Sequence, residues 1–357
     1  MKRNYGIDAL RMCAMYMVVI LHVLAQGGVL TALDESPFTV NYSIAWFLEA
    51  AACCAVNCFA LISGYVGAEV EFRWYKGITL WLQIVFWTVM LTIAFAVFMP
   101  QLVGIKHIIK AFFPVVTQQY WYVTAYFGTF LFIPYLNKLL NTLGKRELKI
   151  LGITIAVGVS LVPTVLGKDL FEVNGGYSVA WILCMYLLGG IIKKVEFGKN
   201  INKVLCLCVY ILAVFVTWGY KILIGRDALG ITSYNNLYSY SSFSMLVCAV
   251  ALLLLFSKLE VKSIVAINVI KKTSPLAFSV YIIHVNQFVW SNLLGARFVS
   301  IAEESSIALC IEVLAVSFGI YILCSLLDVI RVGVFRLFKV NDRCRFLTER
   351  FVNKVSE

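Results

Sequence analysis

Charged side chains are scarce in this sequence of 357 residues. Only 14% of the residues are Asp, Glu, Lys or Arg, and 61% are hydrophobic, whereas a soluble domain has roughly 25% charged residues. Apolar runs of roughly twenty residues recur along the chain, which is the length a helix needs to cross a bilayer. The scarcity of charge therefore excludes a soluble protein and predicts a polytopic membrane protein.

The apolar runs also lack the alternation of polar and apolar residues that a transmembrane β-barrel requires, so the fold class is an all-α helical bundle. The internal charge of Arg11 and the length of the first run favour a retained helix over a cleaved signal peptide. We predict about ten transmembrane helices, at about residues 7–28, 42–66, 77–99, 121–141, 149–167, 177–192, 202–224, 237–257, 273–294 and 305–330.

No internal repeat, low-complexity tract or long polar segment is present in the sequence. The lack of repeats argues against a transporter built from inverted repeats. We therefore predict a single membrane domain over residues 1–357, with a short basic cytoplasmic tail over about residues 331–357 and no appended enzyme domain.

A disulfide framework is excluded as far as the sequence allows, because nearly all of the eleven cysteines lie inside apolar runs. Cys53, Cys54 and Cys58 are close together but have no histidine nearby. This favours packing of small apolar side chains over a metal site, so we predict no bound metal.

The net charge of +11 reflects membrane topology and does not indicate nucleic-acid binding. The loops and tail at one face hold 23 Lys and Arg residues and the loops at the other face hold six. Such a bias predicts that both termini are cytoplasmic. The cytoplasmic cations can also attract anionic lipid headgroups or an anionic substrate.

Two ionisable residues, Arg11 and His22, lie in the first apolar run with ten residues between them. Eleven steps of 100° bring both side chains to one helix face, about 16 Å apart along the axis. Ionisable groups within a span usually face the bundle interior or a wet cavity. The alternative is a snorkelling Arg11 and a core His22 bonded to a backbone carbonyl.

The sequence Asp8-Ala9-Leu10-Arg11, followed after ten residues by His22, resembles the start of the membrane acyltransferase-3 family. These are bacterial integral membrane proteins that O-acylate glycans. The resemblance implies that His22 activates the acceptor hydroxyl, directly or through an acyl relay, and that Arg11 binds a donor phosphate or orients the site.

Three later segments extend the resemblance. Residues 59–65 are similar to the family's Phe-x-x-Ser-Gly-aromatic signature, although Cys58 stands where the family usually has a second aromatic residue. Residues 119–122, with Pro134 after them, are similar to its Trp-aromatic segment. Residues 274–284 are similar to its late segment ending in Tyr-x-x-His.

The resemblance implies a membrane O-acetyltransferase that moves an acetyl group from acetyl-CoA to a hydroxyl of a cell-surface or lipid-linked glycan. Acetyl-CoA, or another acyl-CoA, would be a co-substrate and not a tightly bound cofactor. The expected partners are the acyl-CoA, the glycan acceptor and membrane lipids, with no nucleic acid. The expected location is the bacterial inner membrane.

Glu49 is the second candidate catalytic residue. The second span runs antiparallel to the first, so Glu49 and His22 are expected at similar depth, within about one helical turn. A carboxylate beside the imidazole would fix its tautomer and stabilise the imidazolium. The alternative is that Glu49 bonds another helix or a water.

Arg73 and Lys76 follow the second span on the predicted cytoplasmic side. By resemblance they contact the phosphates of coenzyme A, since Arg clamps phosphate and Lys acts as a point charge. The family's usual Arg-x-Arg pattern is absent, because Tyr75 stands at the second position. The alternative is positive-inside charge alone.

The remaining candidates are predicted to support the site. For some of them a packing role is also open: the Ser-Gly pair as a notch for a neighbouring helix, Trp121 as part of an aromatic belt, and the second intramembrane histidine as a structural hydrogen-bonding residue. The supporting set is Asp8, Asn57, Ser63, Gly64, Trp121, Tyr281 and His284.

Two other functions compete with the acyltransferase. In a transporter or flippase for a lipid-linked glycan, the intramembrane Arg, Glu and His would form a relay or a substrate path. The chain could also be the acyltransferase part of a larger fused system, although its basic tail is typical of a finished end. Acyl transfer by the purified protein distinguishes the first alternative, because a flippase transfers no acyl group from any donor.

Overall fold

The computed structural model describes residues 3–37, 39–224 and 237–356. Within these ranges the chain is helical and contains no strand, which confirms the all-α prediction. Lys2, Arg226 and the side chain of Lys354, which were counted in the loop charge, lie outside the described part of the chain.

The described ranges contain seventeen α-helices, several of them joined by short 3₁₀ or π-helical turns. In chain order they are α1 (Tyr5–Leu24), α2 (Val29–Asp34), α3 (Val40–Ala52), α4 (Ala55–Gly67), α5 (Tyr75–Phe98), α6 (Ile105–Phe112), α7 (Trp121–Thr142), α8 (Lys145–Ile153), α9 (Val162–Leu166), α10 (Val179–Lys194), α11 (Lys203–Ile224), α12 (Phe243–Ser257), α13 (Ile264–Thr273), α14 (Ala277–His284), α15 (Gln287–Val289), α16 (Ser306–Leu337) and α17 (Val340–Ser356).

Helix α1 lies at the centre of the bundle, where it packs against α3, α4, α12, α14 and α16. Its N-terminus is capped by Asn4, whose side-chain oxygen accepts hydrogen bonds from the backbone N–H groups of Gly6 and Ile7. Asp8 lies in the first turn, where a carboxylate interacts favourably with the helix dipole. The central helix therefore has a well-defined start, and it carries both Arg11 and His22.

Six helical segments in the described ranges are long and apolar enough to cross a membrane. The predicted number of about ten is not confirmed, because several predicted spans correspond to shorter or interrupted helices. Helix α10 has 16 residues and α12 has 15. The six segments are Tyr5–Leu24, Val40–Gly67, Tyr75–Phe98, Lys145–Leu166, Lys203–Leu223 and Ser306–Leu337.

The predicted span at residues 273–294 is divided into short pieces. Pro275 lies at the start of a 3₁₀ turn, where its missing N–H is tolerated. Helix α14 then ends at His284, and the side chain of Asn286 accepts a hydrogen bond from the Phe288 N–H to begin α15. The helix therefore stops at His284, within the range predicted to be one continuous span.

The second predicted span is also interrupted, by a turn at Cys53 and Cys54 between α3 and α4. Helix α4 then crosses α10 at very close range. A Cβ atom at Gly64 would lie 1.8 Å from the carbonyl oxygen of Tyr186, and one at Gly189 would lie 2.0 Å from that of Leu61. Two glycines on facing helices thus allow the backbones to touch.

Helix α16 continues past the predicted end of the last span. Its 32 residues correspond to about 48 Å, longer than the roughly 30 Å hydrocarbon core. Arg331, predicted to lie in the tail, is buried and binds both carboxylate oxygens of Asp328, at 2.7 and 2.6 Å. The indole N–H of Trp87 donates to the same carboxylate at 2.7 Å. The separate tail helix, α17, begins at Val340 and packs against α5.

Candidate functional site

Arg11 and His22 lie near opposite ends of the central helix α1. His22 is in the last turn, two residues before the final residue, Leu24. The helix therefore ends about four residues before the predicted end of the span. At roughly 1.5 Å per residue this is about 6 Å of helix. His22 lies correspondingly nearer to the end of its helix than the sequence predicted.

The structure pairs His22 with His284. The Nδ1 atom of His22 lies 2.8 Å from Nε2 of His284, and the ring centroids are 5.0 Å apart with the planes tilted by 48°. On its other side, Nδ1 of His284 lies 2.5 Å from the carbonyl oxygen of Val280, one turn earlier in α14. The two histidines thus form one hydrogen-bonded chain that ends on a backbone carbonyl.

This chain of hydrogen bonds assigns the tautomers of both neutral rings. A carbonyl oxygen can only accept, so Nδ1 of His284 carries the hydrogen and donates to Val280. Nε2 of His284 is then an acceptor, and Nδ1 of His22 donates to it. The lone pair of His22 is consequently on Nε2, which no described residue engages in a hydrogen bond. A base held in one tautomer by a buried partner is the arrangement that general-base catalysis requires.

A small internal cavity of about 30 Å³ lies beside His22. A water molecule requires about 10–15 Å³ on the same measure, so the space holds a group of about two water-sized units. Most of the remaining wall is aromatic or aliphatic. The aromatic lining residues are Phe59, Trp121, Tyr122, Tyr240, Phe278 and Tyr281.

The aromatic wall is fixed by stacking and by a buried amide. The rings of Trp121 and Tyr240 are stacked, with centroids 5.8 Å apart and planes inclined by 15°. Asn57 is fully buried; its amide donates to the backbone carbonyl of Tyr240 at 2.7 Å and accepts from the indole N–H of Trp181 at 2.8 Å. Asn57 therefore lies behind the cavity and holds one of its walls in place.

Two candidates from the sequence, Trp121 and Tyr281, line the cavity, and their supporting role stays a prediction. The Tyr281 ring lies edge-on to His284, with centroids 6.3 Å apart. Its hydroxyl is buried and has no hydrogen-bond partner among the described residues. A buried hydroxyl without a partner is costly, so it is available to a polar group that enters the cavity.

Ser63 makes a hydrogen bond within its own helix, and Gly64 makes a contact between helices. The Ser63 hydroxyl donates to the carbonyl of Phe59 at 3.0 Å, one turn earlier in α4. Gly64 provides the close approach to α10 described above. The packing notch that sequence reasoning left open accounts for Gly64, and α4 thereby brings Phe59 to the cavity wall.

At the other end of α1, Asp8 lies between two guanidinium groups. One carboxylate oxygen accepts from Arg11 and the other from Arg3, both at 2.5 Å. Asp8 is 4% exposed, whereas the side chain of Arg11 is 34% exposed. Two cations share one anion, so the cluster keeps a net positive charge, and Arg11 retains N–H groups for another ligand.

Arg73 and Lys76 lie on the surface around the start of α5. Arg73 pairs with Glu71 at 3.2 Å, and the two side chains are 39% and 79% exposed. Lys76 is exposed in the first turn of the helix. No hydrogen bond or ion pair between described residues links either cation to Arg11. Their donor-binding role stays a prediction.

Glu49 lies in the last turn of α3, just before the break at Cys53. Its Oε2 atom is buried and has no hydrogen-bond partner among the described residues. The expected contact between Glu49 and His22 is not among the hydrogen bonds of the described part, where Nδ1 of His22 is bonded to His284. The catalytic role of Glu49 stays a prediction, without the direct pair on which it was based.

Three residues near the two ends of α1 were not among the site residues predicted from the sequence. Arg3 was counted only as loop charge, although it shares Asp8 with Arg11 and donates to the Ser274 hydroxyl at 3.1 Å. Asn286 donates to the phenol oxygen of Tyr120 at 3.2 Å. Trp290 lies edge-on to His22, with ring centroids 5.4 Å apart. The sequence position of Asn286 and Trp290, which closely follow His284, was the one signal that could have identified them.

The family model described as an acyltransferase domain matches residues 4–329. This range includes both ends of α1, the segment ending at His284 and nearly the whole of the described bundle. No curated protein matches the chain, and no solved structure matches it.

Proposed function

The chain belongs to the acyltransferase-3 family, and on this premise we propose that it is a membrane O-acetyltransferase. It moves an acetyl group from acetyl-CoA to a hydroxyl of a cell-surface or lipid-linked glycan at the bacterial inner membrane. The observation that carries the proposal is the hydrogen bond between Nδ1 of His22 and Nε2 of His284, beside a cavity that fits a small acyl group.

His22 is the proposed catalytic base. Its Nε2 lone pair removes the proton from the acceptor hydroxyl as the hydroxyl oxygen attacks the thioester carbonyl carbon. The carbon–sulfur bond then breaks, and the thiolate of coenzyme A leaves with its electron pair and takes the proton from the imidazolium. His284 orients the ring throughout, because its Nε2 accepts from Nδ1–H of His22 in both protonation states.

A two-step route uses the same lone pair. Nε2 of His22 attacks the thioester carbonyl carbon, the carbon–sulfur bond breaks and the thiolate leaves. The acceptor oxygen then attacks the acyl carbon, the bond from that carbon to Nε2 breaks, and the released Nε2 takes the hydroxyl proton and passes it to the thiolate. The one-step route requires both substrates to be bound together, whereas the two-step route gives ping-pong kinetics. The pairing with His284 supports either route, since each requires Nε2 to be unprotonated at the start.

Arg11 is the proposed phosphate-binding residue. It lies about 16 Å from His22 along α1 at 1.5 Å per residue. In coenzyme A a long pantetheine arm separates the phosphates from the thioester, so one donor molecule can extend from Arg11 to His22. The partly exposed guanidinium and its neighbour Arg3 provide the positive charge.

The size of the cavity favours acetyl over a longer acyl chain. The space of about 30 Å³ accommodates two or three heavy atoms next to His22 when one water needs about 10–15 Å³.

The loop charges support an orientation in which the Arg11 end of α1 faces the cytoplasm, where acetyl-CoA is available.

The proposal is tested with the purified protein in nanodiscs, supplied with radiolabelled acetyl-CoA and a lipid extract from the expressing bacterium. We expect label in glycolipid with the wild-type chain and none with His22→Ala, although the variant should keep the wild-type melting temperature. Mass spectrometry of cell-surface glycans, with and without the gene, identifies the acylated product. Undiminished transfer by a folded His22→Ala variant contradicts the proposal, and absence of transfer with any donor favours the flippase.

A further inference from the structure

A second, much larger cavity opens at the His22 end of the bundle. Its volume is about 840 Å³, within the range of about 300–1,000 Å³ that is typical of ligand sites. It is formed by the segment that follows α1, by α2 and the start of α3, and by the segment between α15 and α16. Its principal side chains are Gln26, Thr31, Glu35, Asn41, Trp290 and Glu303.

The walls of this outer cavity are held by hydrogen bonds between distant segments. The Asn41 amide donates to the carbonyls of Ala302 and Glu304 at 3.1 and 2.8 Å and accepts from the Ser306 hydroxyl at 2.7 Å. The backbone N–H of Ala296 donates to the carbonyl of Gln26 at 3.0 Å. The cavity is therefore part of the folded structure, formed before any ligand binds.

Trp290 connects the outer cavity with the histidine pair. It lines the outer cavity and also a narrow space that contains both His22 and His284. Its ring meets the His22 ring edge-on, with centroids 5.4 Å apart. No described residue accepts a hydrogen bond from its indole N–H, so that group is available to a ligand, and its side chain is only partly buried.

The charge of the outer cavity is opposite to that of the Arg11 end. Its described lining contains two carboxylates, Glu35 and Glu303, and no Lys or Arg. Neither carboxylate takes part in an ion pair with another described residue. A polyanion such as coenzyme A is disfavoured there by like-charge repulsion, whereas carboxylates and amides bind the hydroxyls of a neutral sugar well.

We propose that the outer cavity binds the acceptor glycan, with Trp290 as the stacking platform that directs a sugar hydroxyl toward His22. Glu35 and Glu303 make the site selective for neutral or amine-bearing sugars over anionic ones. This inference rests on the proposed function, and it adds the acceptor site, the face from which the acceptor enters and the charge class that it takes. The donor and the acceptor then approach His22 from opposite ends of α1.

The first test separates acceptor binding from donor chemistry. Trp290→Ala should lower transfer of labelled acetyl to the endogenous acceptors of bacterial membrane vesicles by tenfold or more. When the amount of vesicles is varied, the loss should appear chiefly as a rise in the KM of the acceptor, whereas loss of a residue that only holds His22 in place would lower kcat. Trp290→Phe keeps an aromatic face and should restore most of the transfer. A fall in kcat with an unchanged KM for the acceptor overturns the acceptor role.

The second test blocks the cavity chemically. Thr31→Cys places a thiol on the cavity wall, and a bulky membrane-impermeant maleimide applied to the outside of cells should then stop acceptor acetylation. The matched control is Lys168→Cys, an exposed loop position that does not line the cavity; its labelling should leave acetylation intact. Unchanged acetylation after complete labelling of Thr31→Cys overturns the site.

The third test addresses charge selectivity. Mass spectrometry of the labelled glycans should place the acetyl group of the wild-type reaction on neutral or amine-bearing residues. The double variant Glu35→Gln with Glu303→Gln should begin to acetylate residues that carry uronate or phosphate. Wild-type label on anionic residues overturns the selectivity. If no preparation turns over acetyl-CoA at all, the proposed function itself is wrong.

Discussion

His22 and His284 are 262 positions apart in the sequence, and their Nδ1 and Nε2 atoms lie 2.8 Å apart in the structure. The first histidine is on the central helix and the second is at the end of a short helix that stops directly after it. Because His284 also donates to the Val280 carbonyl, it can only accept from His22. Its role in the proposed reaction is therefore to position the base.

Replacing His284 should impair the chemical step. In His284→Ala, Nδ1 of His22 loses its acceptor and the ring can adopt the wrong tautomer. We expect kcat to fall by about 10²-fold or more with a smaller change in KM, as when a general base loses its function. His284→Gln places an amide oxygen near the position of Nε2 and should recover part of the rate. Steady-state kinetics and the pH dependence of kcat provide the measurement.

The third histidine is the control for this prediction. His107 lies outside the pair, and its Nδ1 accepts a hydrogen bond from the backbone N–H of Gly104 at the start of α6. His107→Ala should leave kcat near the wild-type value. A His284→Ala variant that folds and turns over normally would show that the pair serves packing only.

Arg11→Lys should weaken use of the donor more than it weakens folding. Lysine keeps the charge and the partner Asp8, but it loses the planar guanidinium that binds phosphate through two N–H groups. A lost charge-assisted hydrogen bond of about 1.5–3 kcal/mol corresponds to a rise in the KM of acetyl-CoA of roughly 10- to 100-fold. The KM of the acceptor should change little.

Arg73→Ala and Lys76→Ala test the weaker donor prediction at the surface. Both cations are exposed, and Arg73 is already paired with Glu71. We therefore expect a milder rise in donor KM than for Arg11→Lys, and one that disappears at high salt. If these variants change only expression or topology, their charges serve orientation in the membrane alone.

Glu49→Gln separates a catalytic carboxylate from a structural one. If Glu49 supports the imidazolium without direct contact, the neutral amide should lower kcat more than it raises KM, and the loss should be strongly sub-additive with His22→Ala. If Glu49 is only a buried polar group without a partner, the amide costs less to bury. Normal turnover together with a raised melting temperature would then remove Glu49 from the catalytic site.

The arrangement within α1 could be predicted from the sequence because it depends on helix geometry alone. Ten intervening residues place Arg11 and His22 on one face at a known separation. The resemblance of residues 274–284 to a family segment likewise led to Tyr281, which lines the cavity, and to His284, which is bonded to His22. Each of these two predictions depends on a single continuous stretch of chain.

The contacts between helices could not be predicted in this way. Hydropathy gives the approximate depth of a residue but not the direction of its side chain toward a particular neighbour. Glu49 and His22 were therefore paired by depth, whereas packing of α1 against α14 gives the contact to His284. After His284 the chain is interrupted, and Asn286 caps the start of the next short helix. A hydropathy average over about twenty residues does not detect a single capping residue.

Asp328→Asn should destabilise the protein strongly. Asp328 is fully buried and binds the guanidinium of Arg331 through both carboxylate oxygens. The amide would leave a buried cation without its counter-charge, which costs about 3–5 kcal/mol. Thermal unfolding in detergent measures the loss. Glu349→Gln breaks the exposed pair with Arg345 in α17 and should cause no measurable change.

Gly64→Ala should separate two helices that the fold requires to touch. The new Cβ atom would lie 1.8 Å from the carbonyl oxygen of Tyr186, and a backbone atom in the middle of α10 cannot turn away as a flexible side chain could. Overpacking of this kind costs about 1–3 kcal/mol or more. We expect a lower melting temperature, and also lower activity, because α4 carries both Phe59 of the cavity wall and the positioning residue Asn57.

Gly319→Ala is the matched control, since no atom lies within 4 Å of a Cβ built at that position in α16. Alanine is a better helix former than glycine by about 1 kcal/mol, so this variant should be neutral or slightly stabilised. Gly189→Ala brings a Cβ to 2.0 Å from the Leu61 carbonyl on the other side of the same crossing and should reproduce the defect of Gly64→Ala. If both crossing variants melt and turn over like Gly319→Ala, then α4 and α10 are not in backbone contact, and the Ser-Gly pair needs an explanation other than packing.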